Sequence, residues 1–176
     1  MNQRLSLKNK IQQLRKDAYE PEHDTIFERT IPERKIITIT PERVSPTNNH
    51  ASFGYYVHQL SNQLREGAKK YRMGSVIPWN KFDENGEVYY DQIFLDITGA
   101  PDEALLDTKC IRAGRFLCIR YQWSPENFYS CFHRLKAYVE EHGIVTDELA
   151  YEVPSITGQP MLLGDQYTLE IQLRTH

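Results

Sequence analysis

Two stretches, one in each half of the chain, spell nearly the same strand: YDQIFLDIT at 90–98 and GDQYTLEIQLR at 164–174. Aligning Asp91-Gln92 on Asp165-Gln166 sets Leu95 on Leu169, Asp96 on Glu170 and Ile97 on Ile171. What precedes each stretch also runs in the same order. In the first copy, about 31–98, β-branched residues surround Ile31-Pro32 and Ile36, Ile37 and Ile39, and a helix is predicted from about 52 to 71. The short strand GSVIPWN follows, then a turn at Asn85-Gly86 and the last strand. In the second copy, about 108–175, AGRFLCIRYQW reads as a strand and Ser124-Pro125 starts a helix running to about 142, where Gly143 stops it. ELAYEVPSI and the last strand complete it. Strand, helix, strand, strand, given twice, predicts an α+β domain. One antiparallel-rich sheet is backed on one side by two helices, and the other side, where the halves meet, is concave. A cleft between such repeats is the default place for a ligand.

Residues 3–18 carry apolar positions at Leu7, Ile11 and Leu14, spaced by four and three on a strongly polar background. A stripe so narrow rarely closes a core, so this helix either lies on the domain or pairs with a second copy, making a homodimer. The boundaries follow: a linker or dimerisation helix over 1–20 and one domain over 21–176.

Several function classes drop out on composition. The net charge is -3, and basic runs stop at Lys69, Lys70, Arg72 and at Arg112, Arg115, too little to hold DNA or an anionic membrane unaided. No apolar run approaches the roughly 20 residues that span a bilayer, and the polar start MNQRLSLKNK is no signal peptide, so the expected location is the cytoplasm. Cys110, Cys118 and Cys131 have no CxxC spacing and the six histidines no HExxH, so no disulfide framework, metal or cofactor is expected, and the cysteines read as reduced packing residues. Tyr is the commonest aromatic, 11 against 7 Phe and 2 Trp, and suits pocket walls as well as strand surfaces.

The stretch DELAYEVPSI, 147–156, is the chemically unusual one. As a strand it puts Ala150, Glu152 and Pro154 on one face and Tyr151 and Val153 on the other. Glu152 then stands among small or apolar groups with no Lys or Arg beside it in sequence. Either that face is wet, or the carboxylate is reserved for a ligand, because an unpaired buried charge costs several kcal/mol. Asp96 and Glu170 lie between apolar neighbours that face the other way and read as a solvated outer face; Asp165 is a candidate for a pocket rim.

The Gly-Arg-aromatic strand, the Ser-Pro-Glu helix start, the Tyr-Glu strand and the terminal Tyr-x-x-Glu strand together resemble the effector-binding domain of multidrug-sensing MerR-family transcription regulators of the BmrR type, a GyrI-like domain. The likeness is clearest over 110–175 and looser over 31–98. It implies a duplicated α+β sheet with a drug pocket between its halves. Glu152 falls where such proteins keep a buried glutamate that draws lipophilic cations between aromatic rings, with Pro154 beside it on the strand. Tyr167, Trp123 and Phe128 match pocket aromatics, although Phe128 stands where a Tyr is expected and so lacks its hydroxyl. Tyr55 or Tyr56 is the first-half helix's contribution, with the register open, and Tyr71 and Trp79 are weaker candidates for the remaining wall. Residues 3–18 look like the end of the family's linker helix. The family's winged helix-turn-helix lies before that helix and nothing before residue 3 supplies it, so the chain is expected to be an excised effector domain or a stand-alone relative that does not bind operator DNA alone.

Physically, a carboxylate in an aromatic cleft loses hydration and its pKa rises unless a cation or hydrogen bond restores the ionised form. A bulky organic cation does so with little desolvation cost, and each Tyr or Trp face adds about 0.5–2 kcal/mol. The expected function is therefore non-enzymatic sensing of lipophilic, often cationic aromatic molecules. The alternative is a stand-alone hydrolase of reactive small molecules, as some relatives of the fold are, with Glu152 as general base; against it, the sequence shows no Ser-His-Asp, Cys-His or metal set. A third reading, from the GyrI-like name, is an interaction protein that inhibits a DNA topoisomerase.

Overall fold

Pro32 has no N–H to give to a ladder, and it divides the first β-rich run into β1 (Ile26–Ile31) and β2 (Arg34–Ile39). The remaining elements are α1 (His50–Ser61), β3 (Arg72–Pro78), β4 (Gln92–Asp96), β5 (Lys109–Ile111), β6 (Gly114–Gln122), α2 (Pro125–Glu141), β7 (Thr146–Pro154) and β8 (Thr168–Thr175). They come from a computed structural model that describes residues 22–48, 50–64, 71–100, 107–155 and 168–176. The expected linker helix over 1–20, Asp165 and Tyr167 lie outside the described residues.

α2 begins and ends where its sequence signals stand. Ser124 caps it, accepting from the Asn127 amide at 3.0 Å, Pro125 fills the first turn, and Gly143 leaves with a φ of 60°. α1 stops well before residue 71. The amides of Gln63 and Leu64 bond back only three residues, to Leu60 and Ser61, which tightens the chain out of the helix. β4 is shorter than 90–98 because the amides of Tyr90 and Asp91 bond to the carbonyls of Val44 and Val76.

All neighbours in the eight-stranded sheet are antiparallel, in the order β1-β6-β8-β7-β3-β4-β2-β5. Exchanging each first-half element for its second-half counterpart reverses that order, with β3 against β7 at the centre.

The sheet's two ends are not far apart. Ile31 of β1 pairs with Gly114 of β6, and Arg34 of β2 pairs with Ile111 of β5. Pro32 and Glu33 therefore fall opposite Ala113 and Arg112 with no residue gained or lost. β1 runs into β2 and β5 into β6 as two long strands in one register. Because β6 leads through β8, β7, β3 and β4 back to β2, the pairings form a ring.

The ring has an outer face that carries the helices and an inner face that carries none. On the outer side, Phe128, Phe132 and Leu135 of α2 pack on Leu117, Ile119, Ile171 and Leu173, while Leu60 of α1 covers Ile37, Ile93 and Leu95. On the inner side, Ile31, Ile36, Val76, Phe94, Ile111 and Phe116 close on one another. Both faces of β4 are thus covered, and Ile93, Phe94 and Leu95 are all buried where alternation had suggested one wet face. The solvated reading of Glu170 is also corrected. It points inward and is 1% exposed. Cys118 and Cys131 are buried packing residues as expected, whereas Cys110 is exposed on short β5. Among the described residues no helix is long and apolar enough to cross a membrane, and no group of His, Cys, Asp or Glu is placed to hold a metal.

Candidate functional site

Glu152 sits at the middle of the molecule, opposite Ser75 in the β3–β7 pair that joins the two halves. Its neighbour Tyr151 faces the inner side, and Glu152 faces the helices. It is 7% exposed. Three hydroxyl groups donate to its carboxylate: Tyr90 at 3.0 Å and Ser75 at 3.3 Å to Oε1, and Tyr121 to Oε2. Among the described residues it makes no ion pair. Burial raises its pKa above the ordinary carboxyl value, and the hydrogen bonds from Tyr121, Tyr90 and Ser75 oppose that rise in part. Burial and the adjacent carboxylate push Tyr121 well above the ordinary phenol value, so it stays neutral and continues to donate.

Glu152 and its rings lie on the side of the sheet that carries the helices rather than on the helix-free side. The Tyr90 ring stands edge-on to Phe53 of α1 at 6.3 Å and to Phe128 of α2 at 6.5 Å, and Tyr121 meets Phe128 at 6.4 Å. The expected position, the helix-free inner face, carries instead the apolar cluster around Phe94 and Phe116 and the Glu170 ion pairs, and Glu152 points away from it.

The candidates from the sequence divide accordingly. Glu152 and Phe128 meet through the two tyrosines. Trp123, just after β6, is half-buried against the same core, as is Tyr56, whose hydroxyl accepts from the Glu42 amide at 2.9 Å. Pro154 lies on Glu152's side of β7, opposite Leu169. Tyr55 is corrected. It is 59% exposed, because at 100° per residue it points away from the Phe53, Tyr56, Val57 and Leu60 stripe. Trp79 belongs to the same core as Tyr90, Tyr121 and Phe128; its ring packs on Phe132 at 5.0 Å, and Lys136 Nζ stands 4.7 Å over it while donating to its carbonyl oxygen at 2.8 Å. Tyr71 packs with Met73 against the α1–β4 core.

Sequence reasoning missed Ser75, Tyr90 and Tyr121 as ligands of the carboxylate. Tyr121 had a signal, since it shares the parity of the apolar Leu117 and Ile119 and carries a hydroxyl that needs a partner. Ser75 and Tyr90 had none, being 77 and 62 residues from Glu152 and brought there only by pairing across the halves.

No family model matches the sequence, and no curated protein matches it either. Solved structures do resemble it. EcmrR in its DNA complex superposes with a TM-score of 0.63 at 15% identity, covering 98% of this chain and 64% of that one. The isolated EcmrR C-terminal domain gives 0.58 at 11% identity over 86% and 97% of the two chains. SAV2435 bound to tetraphenylphosphonium gives 0.53 at 11% identity, over 86% and 94%. The fold is GyrI-like. A GyrI-like domain thus accounts for the described sheet and both helices, and this chain spans about two thirds of the DNA-bound EcmrR polypeptide.

Proposed function

We propose that this GyrI-like chain is a small-molecule-binding effector domain that senses lipophilic cations, of the BmrR type among MerR regulators. In this reading it arose by duplication, follows a linker helix over 1–20 that pairs two copies, and works in the cytoplasm. The reversal of strand order on exchanging the halves supports the duplication. One observation carries the ligand class: Glu152 is buried among Tyr90, Tyr121 and Phe128 with neutral hydroxyl partners and, among the described residues, no counter-ion. Neutral donors orient a carboxylate without cancelling its charge. A bulky apolar cation cancels it at small desolvation cost, and rings reward apolar surface without asking for a fixed hydrogen-bond pattern. The tetraphenylphosphonium held by SAV2435 is a ligand of that chemistry.

The test is calorimetric titration of tetraphenylphosphonium into the wild type and Glu152→Gln. Micromolar binding weakened tenfold or more, about 1.4 kcal/mol, is expected on removing the charge. Equal binding by both proteins, or by neither, rejects the reading. A second reading rests on the same raised carboxyl pKa, which would suit a general base working on water beside two phenols. Turnover of a reactive electrophile, abolished by Glu152→Gln, would favour the hydrolase.

A further inference from the structure

We propose that the inner face of the ring holds a second site, which takes a small oxyanion, a carboxylate or a phosphate, side-on against the guanidinium of Arg34. A chain of polar groups runs through this interior. Arg29 and Arg120 both donate to Glu170 Oε2, the latter at 2.9 Å; Gln172 Nε2 donates to Glu170 Oε1 at 2.7 Å; Arg34 Nη1 donates to Gln172 Oε1 at 2.8 Å. The chain ends there. Arg34 Nε and Nη2 are buried and, among the described residues, bond to nothing.

Those two N–H groups share one edge of the planar guanidinium, the edge whose spacing matches the two oxygens of a carboxylate or phosphate. The group is held for such a partner. Gln172 pins its far nitrogen, and its central carbon stands 5.7 Å from the Phe116 ring and 5.6 Å from the Tyr151 ring. Nearby charge is lopsided in the same sense, with Arg29, Arg34 and Arg120 set against one buried carboxylate, Glu170. Of the other acids, Asp96 acts on Arg34 through its field but makes no hydrogen bond to it, its Oδ1 accepting from the Thr98 amide and hydroxyl at 3.0 and 2.5 Å, and Asp147 is shared by Arg174 and His176. Arg174 Nη1, on the β8 residue that pairs with Phe116, is also buried, and its partner is Asp147, an ion pair at 3.5 Å. Burial lowers the Arg34 pKa, and the fields of Asp96, Tyr151, Cys118 and Glu170 oppose that fall only in part. The walls are Ile36, Val76, Phe94 and Ile111, so an anion with a short apolar body fits the surroundings better than a highly hydrated one.

Tyr151 and Glu152 point to opposite faces of β7, so this site is independent of the cluster around Glu152. Benzoate and inorganic phosphate, each titrated in excess chloride, are the probes, and whichever binds names the anion's source. Expected are saturable heat in the wild type, the same in Glu152→Gln, and at least tenfold weaker binding in Arg34→Lys, which keeps the charge but loses the fork. On 15N-labelled wild type, the Arg34 Nε–H resonance should move with the bound fraction, a readout that needs no variant. Absence of binding by both anions, equal affinity in Arg34→Lys, or binding that leaves that resonance unmoved overturns the proposal.

Discussion

Glu152 titrates among groups that do not ionise with it, and this gives its pH dependence a definite sign. Its folded-state pKa is raised, chiefly by burial, above the ordinary 4.5. The folded chain therefore holds this proton more tightly than the unfolded one, so the contribution to stability is full below about pH 4.5 and is lost as pH rises through the raised value. Urea midpoints measured upward from pH 4.5 should fall with pH more steeply in the wild type than in Glu152→Gln. Cation affinity should run the other way, increasing over the same range as the carboxylate ionises. Tyr121→Phe removes one donor while keeping the ring. About 1–3 kcal/mol of stability should go with it, readable by urea denaturation, together with a further rise of the Glu152 pKa. At this scale the sequence was informative about Glu152 and Phe128, because a carboxylate on an apolar strand face and a helix stripe are local patterns. It was silent about Ser75 and Tyr90, whose role exists only once β3 and β7 are paired.

At the scale of elements, the β3–β7 joint is the tightest constraint on the site. A Cβ added to Gly74 would stand 2.3 Å from Phe94 Cζ and 2.9 Å from the Glu152 carbonyl oxygen. Gly74→Ala should cost about 1–3 kcal/mol in urea denaturation by forcing these strands apart, and should weaken ligand binding by moving the Glu152 backbone. Ser124→Ala should cost about 1 kcal/mol through loss of the α2 cap, with ligand affinity little changed. α2 was legible almost to the residue because its cap, its proline and its glycine are all local signals. α1 was overrun, because its polar continuation SNQLREGAKK keeps a helical composition while the local bonds of Gln63 and Leu64, back only three residues, end the helix at Ser61. The aligned last strands did place equivalent residues on equivalent faces: Leu95 and Leu169 both point to the helix side, and Asp96 and Glu170 both point inward. What the letters left open was which side is wet, since a strand's alternation does not reveal that its sheet curls until its second face is covered.

For the whole molecule, the ring turns a charged strand residue into a buried one. Glu170→Ala should leave Arg29 and Arg120 facing each other without their shared carboxylate, at a cost of about 3–5 kcal/mol by thermal or urea unfolding. Glu170→Gln should cost less, since it keeps an acceptor oxygen. The ring was not readable from sequence because its closure depends on register across the halves, where Ile31 meets Gly114 and Arg34 meets Ile111, and no short window contains both partners.

Each half lends its opening strand to the other: among the described strands, β1 pairs with β6 and β5 with β2. The halves are clasped like two hooks. A chain cut between β4 and β5 should therefore stay together as one particle in native gel filtration, and either piece made alone should recruit a second copy of itself to supply the missing strand.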